Sequence, residues 1–239
     1  MRFGDLQVIA HLNLTIRSGE FVSLIGPSGC GKSTLLRVIA GLIAPSSGAV
    51  RVGEDAHSES RLGLVFQKPL LLPWRTTLEN VVLPIELQLG GSTVREIDKE
   101  RARRMLRLVQ LDGFEHAYPF QLSGGMQQRA ALARALMSDP EVLLMDEPFG
   151  ALDELTRDVL NEEVLRIWES EETQLKTAVM VTHSIAEAVA MSDRVFVLAP
   201  RPARILEVVD VDVARPRRLD APELSRTVAH IRSLMRGVA

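Results

Sequence analysis

The strongest constraint on how this chain folds is GPSGCGKST at 26–34, set between an apolar run, Glu20–Ile25, and a helically spaced segment, Lys32–Ala40. From Gly26 to Ser33 it fits the pattern G-x4-G-K-[ST]. Glycines let a backbone fold into a nest whose N–H groups converge on an anion. Gly26, Gly29 and Gly31 supply that freedom, Pro27, Ser28 and Cys30 lie between them, and Thr34 closes the run. Lys32 places a cation near a phosphate chain, and the Ser33 hydroxyl can ligate magnesium. A phosphate loop must sit between a strand and a helix, so this segment fixes the first strand–loop–helix unit of an α/β fold.

The rest of the chain extends that unit. Glu141–Met145, Thr177–Val181 and Arg194–Leu198 are β-rich apolar runs, two of them following helical stretches, which predicts a mainly parallel sheet with crossovers. Leu6–Ile16, Ala49–Val52 and Leu62–Phe66 alternate apolar and polar residues, which predicts an antiparallel β subdomain. Between 68 and 137 the character changes to helices, at Thr76–Leu89, Ser92–Val109 and Met126–Leu136. Pro222–Met235 predicts one more. The expected organisation is one module, 1–239: a core over 1–67 and 138–239, with an inserted helical lobe over 68–137.

Two further motifs carry chemistry. VLLMDEP at 142–148 reads as a buried strand ending in Asp146 and Glu147, at the carboxyl end where open α/β sheets place ligand-binding groups. Asp146 can hold magnesium through water opposite Ser33. Glu147, pointing the other way, is suited to orienting or deprotonating a water. LSGGMQQR at 122–129 places Ser123 as a helix N-cap, with open amides and a helix dipole that favour an anion. On local grounds alone that segment reads more readily as a turn. One acidic pair with two anion-binding loops is an uneven count for a single chain.

Composition narrows the function classes. Apolar residues make up 46% of the 239, enough for a full core. Aromatics at 4% argue against base-stacking platforms, and a net charge of −3 with no block of like charges argues against a nucleic-acid or anionic-lipid surface. A lone cysteine, Cys30, excludes an internal disulfide and suits a reducing compartment. No signal-peptide layout and no membrane-length apolar run are present, so a soluble, cytoplasmic chain is expected.

Taken together, these residues resemble the nucleotide-binding subunit of an ATP-binding-cassette (ABC) transporter. GPSGCGKST resembles the family's Walker A loop, LSGGMQQR its signature and VLLMDEP its Walker B. Ala151-Leu152-Asp153 is similar to the D-loop, His183 in VTHSIAEA to the switch histidine and Gln67 in VFQKP to the Q-loop, all in the family's order. The resemblance implies a P-loop NTPase core that hydrolyses ATP with Mg2+. Glu147, His183 and Lys32 would be catalytic, and Ser33, Gln67 and Asp146 would face the metal. The remaining Walker A residues would bind ATP, with Phe3 stacking on adenine. Two subunits would pack head-to-tail as a homodimer, or as a heterodimer with a paralogue, so that Ser123, Gly124, Gly125, Gln127 and Asp153 act in trans. That arrangement accounts for the uneven count of loops.

The resemblance also implies partners: integral membrane permease subunits and, indirectly, a periplasmic or extracellular solute-binding protein. It implies a place at the cytoplasmic face of the cell membrane and no nucleic-acid partner. FQKPLLLPWR at 66–75 contains Gln67 and continues into the region that borders the permease groove in this family. LPWRT and LAPRPARI at 198–205 resemble the nitrate, sulfonate, taurine and bicarbonate importer subfamily. The alternative class, a soluble ABC ATPase acting on nucleic acid or ribosomes, usually carries a second cassette, a coiled coil or a basic arm. None of these features is in the sequence.

Overall fold

The apolar runs become strands and the 3.6-residue patterns become helices, in an order that brings the phosphate loop and the acidic pair to one end of a sheet. A computed structural model describes residues 1–53, 62–90, 93–217 and 221–237. The elements are β1 (Arg2–Phe3), β2 (Leu6–Gln7), β3 (Phe21–Ile25), α1 (Lys32–Ile39), β4 (Leu62–Val65), α2 (Thr77–Gln88), α3 (Glu96–Leu108), α4 (Gly124–Leu136), β5 (Val142–Asp146), α5 (Glu154–Trp168), β6 (Thr177–Thr182), α6 (Ile185–Met191), β7 (Arg194–Leu198), β8 (Ile205–Asp210) and α7 (Pro222–Arg236). They fall into two units, one of Met1–Ser60, Leu144–Glu147 and Lys176–Ala239, the other of Arg61–Leu143 and Pro148–Leu175.

In the first unit the strand order runs β5–β6–β3–β7–β8. β3 pairs in parallel with β6, Phe21 opposite Ala178 through Ile25 opposite Thr182, and in parallel with β7. Every residue of β3 and β6 is buried, as a central strand covered on both faces requires. Each large apolar side chain buried there stabilises the fold by about 1.5–3 kcal/mol. β7 and β8 form an antiparallel hairpin at the sheet's edge. Ile25, Val195 and Val197 pack with Leu224 and Ile231 of α7, which covers this part of the sheet.

In the second unit α2, α3 and α4 pack together. Thr76 starts α2 with a reciprocal capping box to Glu79. α3 begins at Glu96; Ser92, where the expected helix started, lies outside the described residues. Ala130, Ala131, Ala133 and Ala135 are buried on α4, and side chains this small let neighbouring helices approach closely.

Several elements differ from the sequence reading. Ala49–Val52 forms no strand: its side chains are exposed or half-buried, so the alternation has no face to bury. Of Leu6–Ile16 only Leu6–Gln7 is a strand, paired to β1, and Ile9 makes one parallel bridge to Ala203. α5 and α6 form the helical stretches expected between these strands, and β8 forms where no element was assigned.

Candidate functional site

In the first unit the carboxyl ends of β3, β5 and β6 carry the residues that the sequence singles out for chemistry. β3 delivers the chain into the phosphate loop, where Gly29 (φ 72°) and Gly31 (φ 117°) adopt left-handed conformations open to glycine. A Cβ on Gly31 would lie 2.9 Å from a Val8 methyl, and one on Gly26 would lie 3.0 Å from the Leu198 carbonyl. Gly31 then opens α1 with no side-chain cap and no acidic residue in the first turn. The first amides of α1 therefore keep their hydrogen-bonding capacity for an anion.

Lys32 is buried, and its Nζ donates to the carbonyls of Gly26 (2.8 Å) and Pro27 (3.1 Å). The ammonium is thus held inside the loop it would serve. Cys30 is buried as well, and its N–H donates to the Pro27 carbonyl at 3.2 Å. Ser28 is exposed at the loop's outer edge, and Thr34 continues into α1. Ser33 Oγ donates to Asp146 Oδ1 at 2.7 Å, joining the start of α1 to the end of β5. Two hard oxygens therefore face the same point beside the loop. No cluster of three metal-ligating side chains occurs among the described residues. This donor set fits Mg2+, which takes one or two protein oxygens and fills its octahedron from phosphates and water.

Glu147 follows Asp146 with φ 45°, a left-handed conformation unusual for a residue with a Cβ. Its N–H donates to the Val181 carbonyl of β6 at 2.9 Å, which fixes that turn of the chain. Backbone strain of this kind costs about 1–3 kcal/mol and gathers at functional sites. Glu147 Oε2 lies 3.4 Å from His183 Nδ1, and the histidine is the more exposed partner. His183 is held by its neighbours: Thr182 Oγ1 accepts from the Ser184 N–H (3.0 Å) and donates to buried Glu187, while Ser184 Oγ accepts from the Glu187 N–H (3.2 Å). Sequence reasoning missed Glu187, although Ser184-x-x-Glu187 is a helix-start pattern. Phe3 is exposed on β1, away from any packing that would bury its ring.

The second unit holds the remaining residues singled out from the sequence. Ser123 is the N-cap of α4, its Oγ accepting from the Met126 N–H at 3.3 Å. Ser123 and Gly124 are exposed, whereas Gly125 is buried. A Cβ on Gly125 would lie 3.0 Å from a Thr156 methyl, and one on Gly124 would lie 3.4 Å from Leu152. The glycines thus admit the 152–156 segment as well as opening amides. Gln127 donates to the carbonyls of Pro119 and Leu122, tying down the turn before the helix. Asp153 caps α5 by accepting from the Thr156 N–H (3.0 Å) and hydroxyl (2.7 Å). Those bonds hold its carboxyl below the usual carboxylate range.

Gln67 is exposed, at the start of a loop fastened to α4. Buried Gln128 donates to the Phe66 carbonyl at 3.1 Å, and Arg134 donates to the carbonyls of Pro69 (2.7 Å) and Leu70 (2.8 Å). Gln128 and Arg134 escaped the sequence reading, since a polar residue on a mostly apolar helix face carries no local sign of its partner. The helix that begins at the signature and the loop that begins at Gln67 are therefore one hydrogen-bonded piece. At that loop's far end Trp74 is 70% exposed. No helix among the described residues is long and apolar enough to cross a membrane.

Comparison with known proteins identifies the family. The family model for the ABC transporter matches residues 9–150. An ABC transporter ATP-binding protein of Methanocaldococcus jannaschii, MJ0412, is 50% identical over 214 residues, 89% of this chain and 78% of the relative. The aliphatic sulfonates import ATP-binding protein SsuB 1 of Mesorhizobium japonicum is 45% identical over 225 residues, 94% of this chain and 82% of its own. Among solved structures, the dimeric post-hydrolysis state of the ATP-binding cassette MJ0796, bound to ADP and phosphate, superposes with a TM-score of 0.75 at 33% identity, covering 90% of this chain and 96% of that one. The chain belongs to the ABC transporter family, as an ATP-binding subunit that hydrolyses ATP.

Proposed function

We propose that this chain is the motor of an importer for small organic anions of the sulfonate type, working as a dimer beneath two permease subunits at the cytoplasmic face of the membrane. The single observation that carries the catalytic part is the pairing, at the end of β5, of Asp146 with Ser33 at the open amino end of α1 and of the adjacent Glu147 with His183. The sulfonate class rests on the name of the relatives at 43–45% identity.

In this reading the loop amides from Gly29 to Thr34 bind the phosphate chain, and Lys32 Nζ shifts from its carbonyl partners to neutralise the β and γ phosphates. Ser33 and Asp146, with Gln67 as the family resemblance implies, would hold Mg2+, which when bound would offset negative charge on the phosphates. Glu147 accepts the proton of the attacking water as its oxygen bonds to the γ-phosphorus and the bond to the ADP oxygen breaks. His183, set against Glu147, orients that water and the γ-phosphate. Phe3 stacks on adenine. Ser123, Gly124, Gly125, Gln127 and Asp153 of the opposing subunit close over the nucleotide. Leu70 and Trp74 face the permease, and a solute-binding protein acts through it.

The test is Glu147→Gln in the full chain. Removing the base lowers ATP turnover by about 10²-fold or more while ATP binding persists. Near-normal hydrolysis in that variant would overturn the assignment.

A further inference from the structure

The hairpin between β7 and β8 carries LAPRPARI, a motif that no step of hydrolysis uses. It lies against the phosphate loop at three places. Gly26 backs onto Leu198, where a Cβ would be crowded at 3.0 Å from the carbonyl oxygen. The Ala203 N–H donates to the Val8 carbonyl at 2.9 Å and the Ala10 N–H to the Ala203 carbonyl at 3.0 Å, which seats Val8 under Gly31. Arg201 makes the third contact: its Nε (3.2 Å) and Nη2 (2.9 Å) both donate to the Gly29 carbonyl.

The third contact has consequences for the loop's chemistry. The Gly29–Cys30 peptide is held at both ends, its carbonyl by Arg201 and its N–H by the Pro27 carbonyl. That fixes the plane from which Gly31 and Lys32 turn their amides into the nest. A guanidinium on a carbonyl also polarises the peptide and strengthens its N–H as a donor. It adds a fixed positive charge behind a loop that receives a phosphate chain. Two converging donors on one acceptor are a geometry that Arg supplies and Lys does not.

We propose that Arg201 is a positioning residue for the phosphate loop, setting the affinity for the nucleotide's phosphates without touching the reacting atoms. This rests on the reading of 26–34 as the nucleotide site. Arg201 is exposed, so its removal leaves no buried group unpaired.

The experiment measures binding of MgADP and MgATP to the full chain, its unfolding temperature without nucleotide, and ATPase KM and kcat. Four variants are compared: Arg201→Ala, Arg201→Lys, Arg204→Ala and Lys32→Ala. Arg201→Ala is expected to weaken both nucleotides and raise KM by about five- to fifty-fold, the scale of one charged hydrogen bond. Its kcat and unligated unfolding temperature stay near those of the parent, and Arg201→Lys recovers part of the affinity. Arg204→Ala, which removes an exposed charge from the same hairpin, binds as the parent does. Binding unchanged in Arg201→Ala while Lys32→Ala abolishes it overturns the role of Arg201 alone. Binding unchanged in both overturns the nucleotide-site reading and this proposal with it. An equal loss in Arg204→Ala, or a loss matched by a lower unligated unfolding temperature, also overturns the proposal.

Discussion

At the scale of single residues, the proposed site separates groups that would face the substrate from groups that would aim them. Lys32, Ser33, Asp146 and Glu147 could be singled out in the sequence because phosphate and magnesium chemistry restricts both residue type and spacing, whereas His183 stood out only through the family resemblance. Glu187, Gln128 and Arg134 were not, because what defines them is a partner distant in sequence or a bond visible only once a helix has formed. Glu187 gives the first prediction. Glu187→Ala frees Thr182 and the Ser184 turn, so His183 loses its orientation and kcat falls about ten-fold, the lower range of a misplaced catalytic group. ATP affinity, measured by titration in the same variant, changes less than about two-fold. Glu187→Gln keeps an acceptor for the Thr182 hydroxyl and retains most of the activity. Equal losses in kcat and affinity would show that Glu187 only supports the fold.

At the scale of elements, amphipathic segments with strong caps could be read directly. α2 starts one residue after Thr76, and α4 starts after Ser123. Others could not. α6 is too short for its bounds to be read, and β8 becomes a strand because β7 lies beside it rather than through a strong local pattern. Ala49–Val52 shows the converse, an alternation that no neighbouring face exploits.

Two buried charges tie elements together and can be tested there. Arg217 donates to the carbonyls of Val213, Val189, Ser192 and Val211, so it satisfies the end of α6 and the segment after β8 together. Burial, with Arg215 nearby, lowers its pKa to about 10 against the pull of Asp193. Chemical denaturation of Arg217→Ala should show a loss of about 3 kcal/mol or more, and Arg217→Lys should not restore it, since one ammonium cannot span those carbonyls.

Glu163 on α5 lies 3.1 Å from Arg129, the last residue of the signature. Burial pushes its carboxyl above the usual carboxylate range, against the pull of Arg129 and Arg166. The folded chain therefore holds this proton more tightly than the unfolded one. Its contribution to stability falls as pH rises from the ordinary carboxylate value through the raised one. Denaturation of wild type and Glu163→Gln across that window should give a stability difference that moves against wild type as pH rises. A difference independent of pH would show that the Glu163 proton is not coupled to folding.

At the scale of the whole molecule, the proposed function makes each chain carry one half of each of two sites. The Walker A loop and acidic pair lie in one unit, and the signature in the other. The dimeric cassette MJ0796 gives the family precedent for pairing such chains. A mixture of Ser123→Arg and Lys32→Ala chains is expected to regain ATPase activity above either alone, because each mixed dimer keeps one intact composite site. The most direct measurement is the solution mass of the Glu147→Gln chain by light scattering. Completion of each site by a second chain predicts a dimer in ATP, a monomer in ADP, and a monomer in ATP once Ser123→Arg is added. A mass that stays monomeric in ATP, or a dimer that forms equally well with Ser123→Arg, would contradict it.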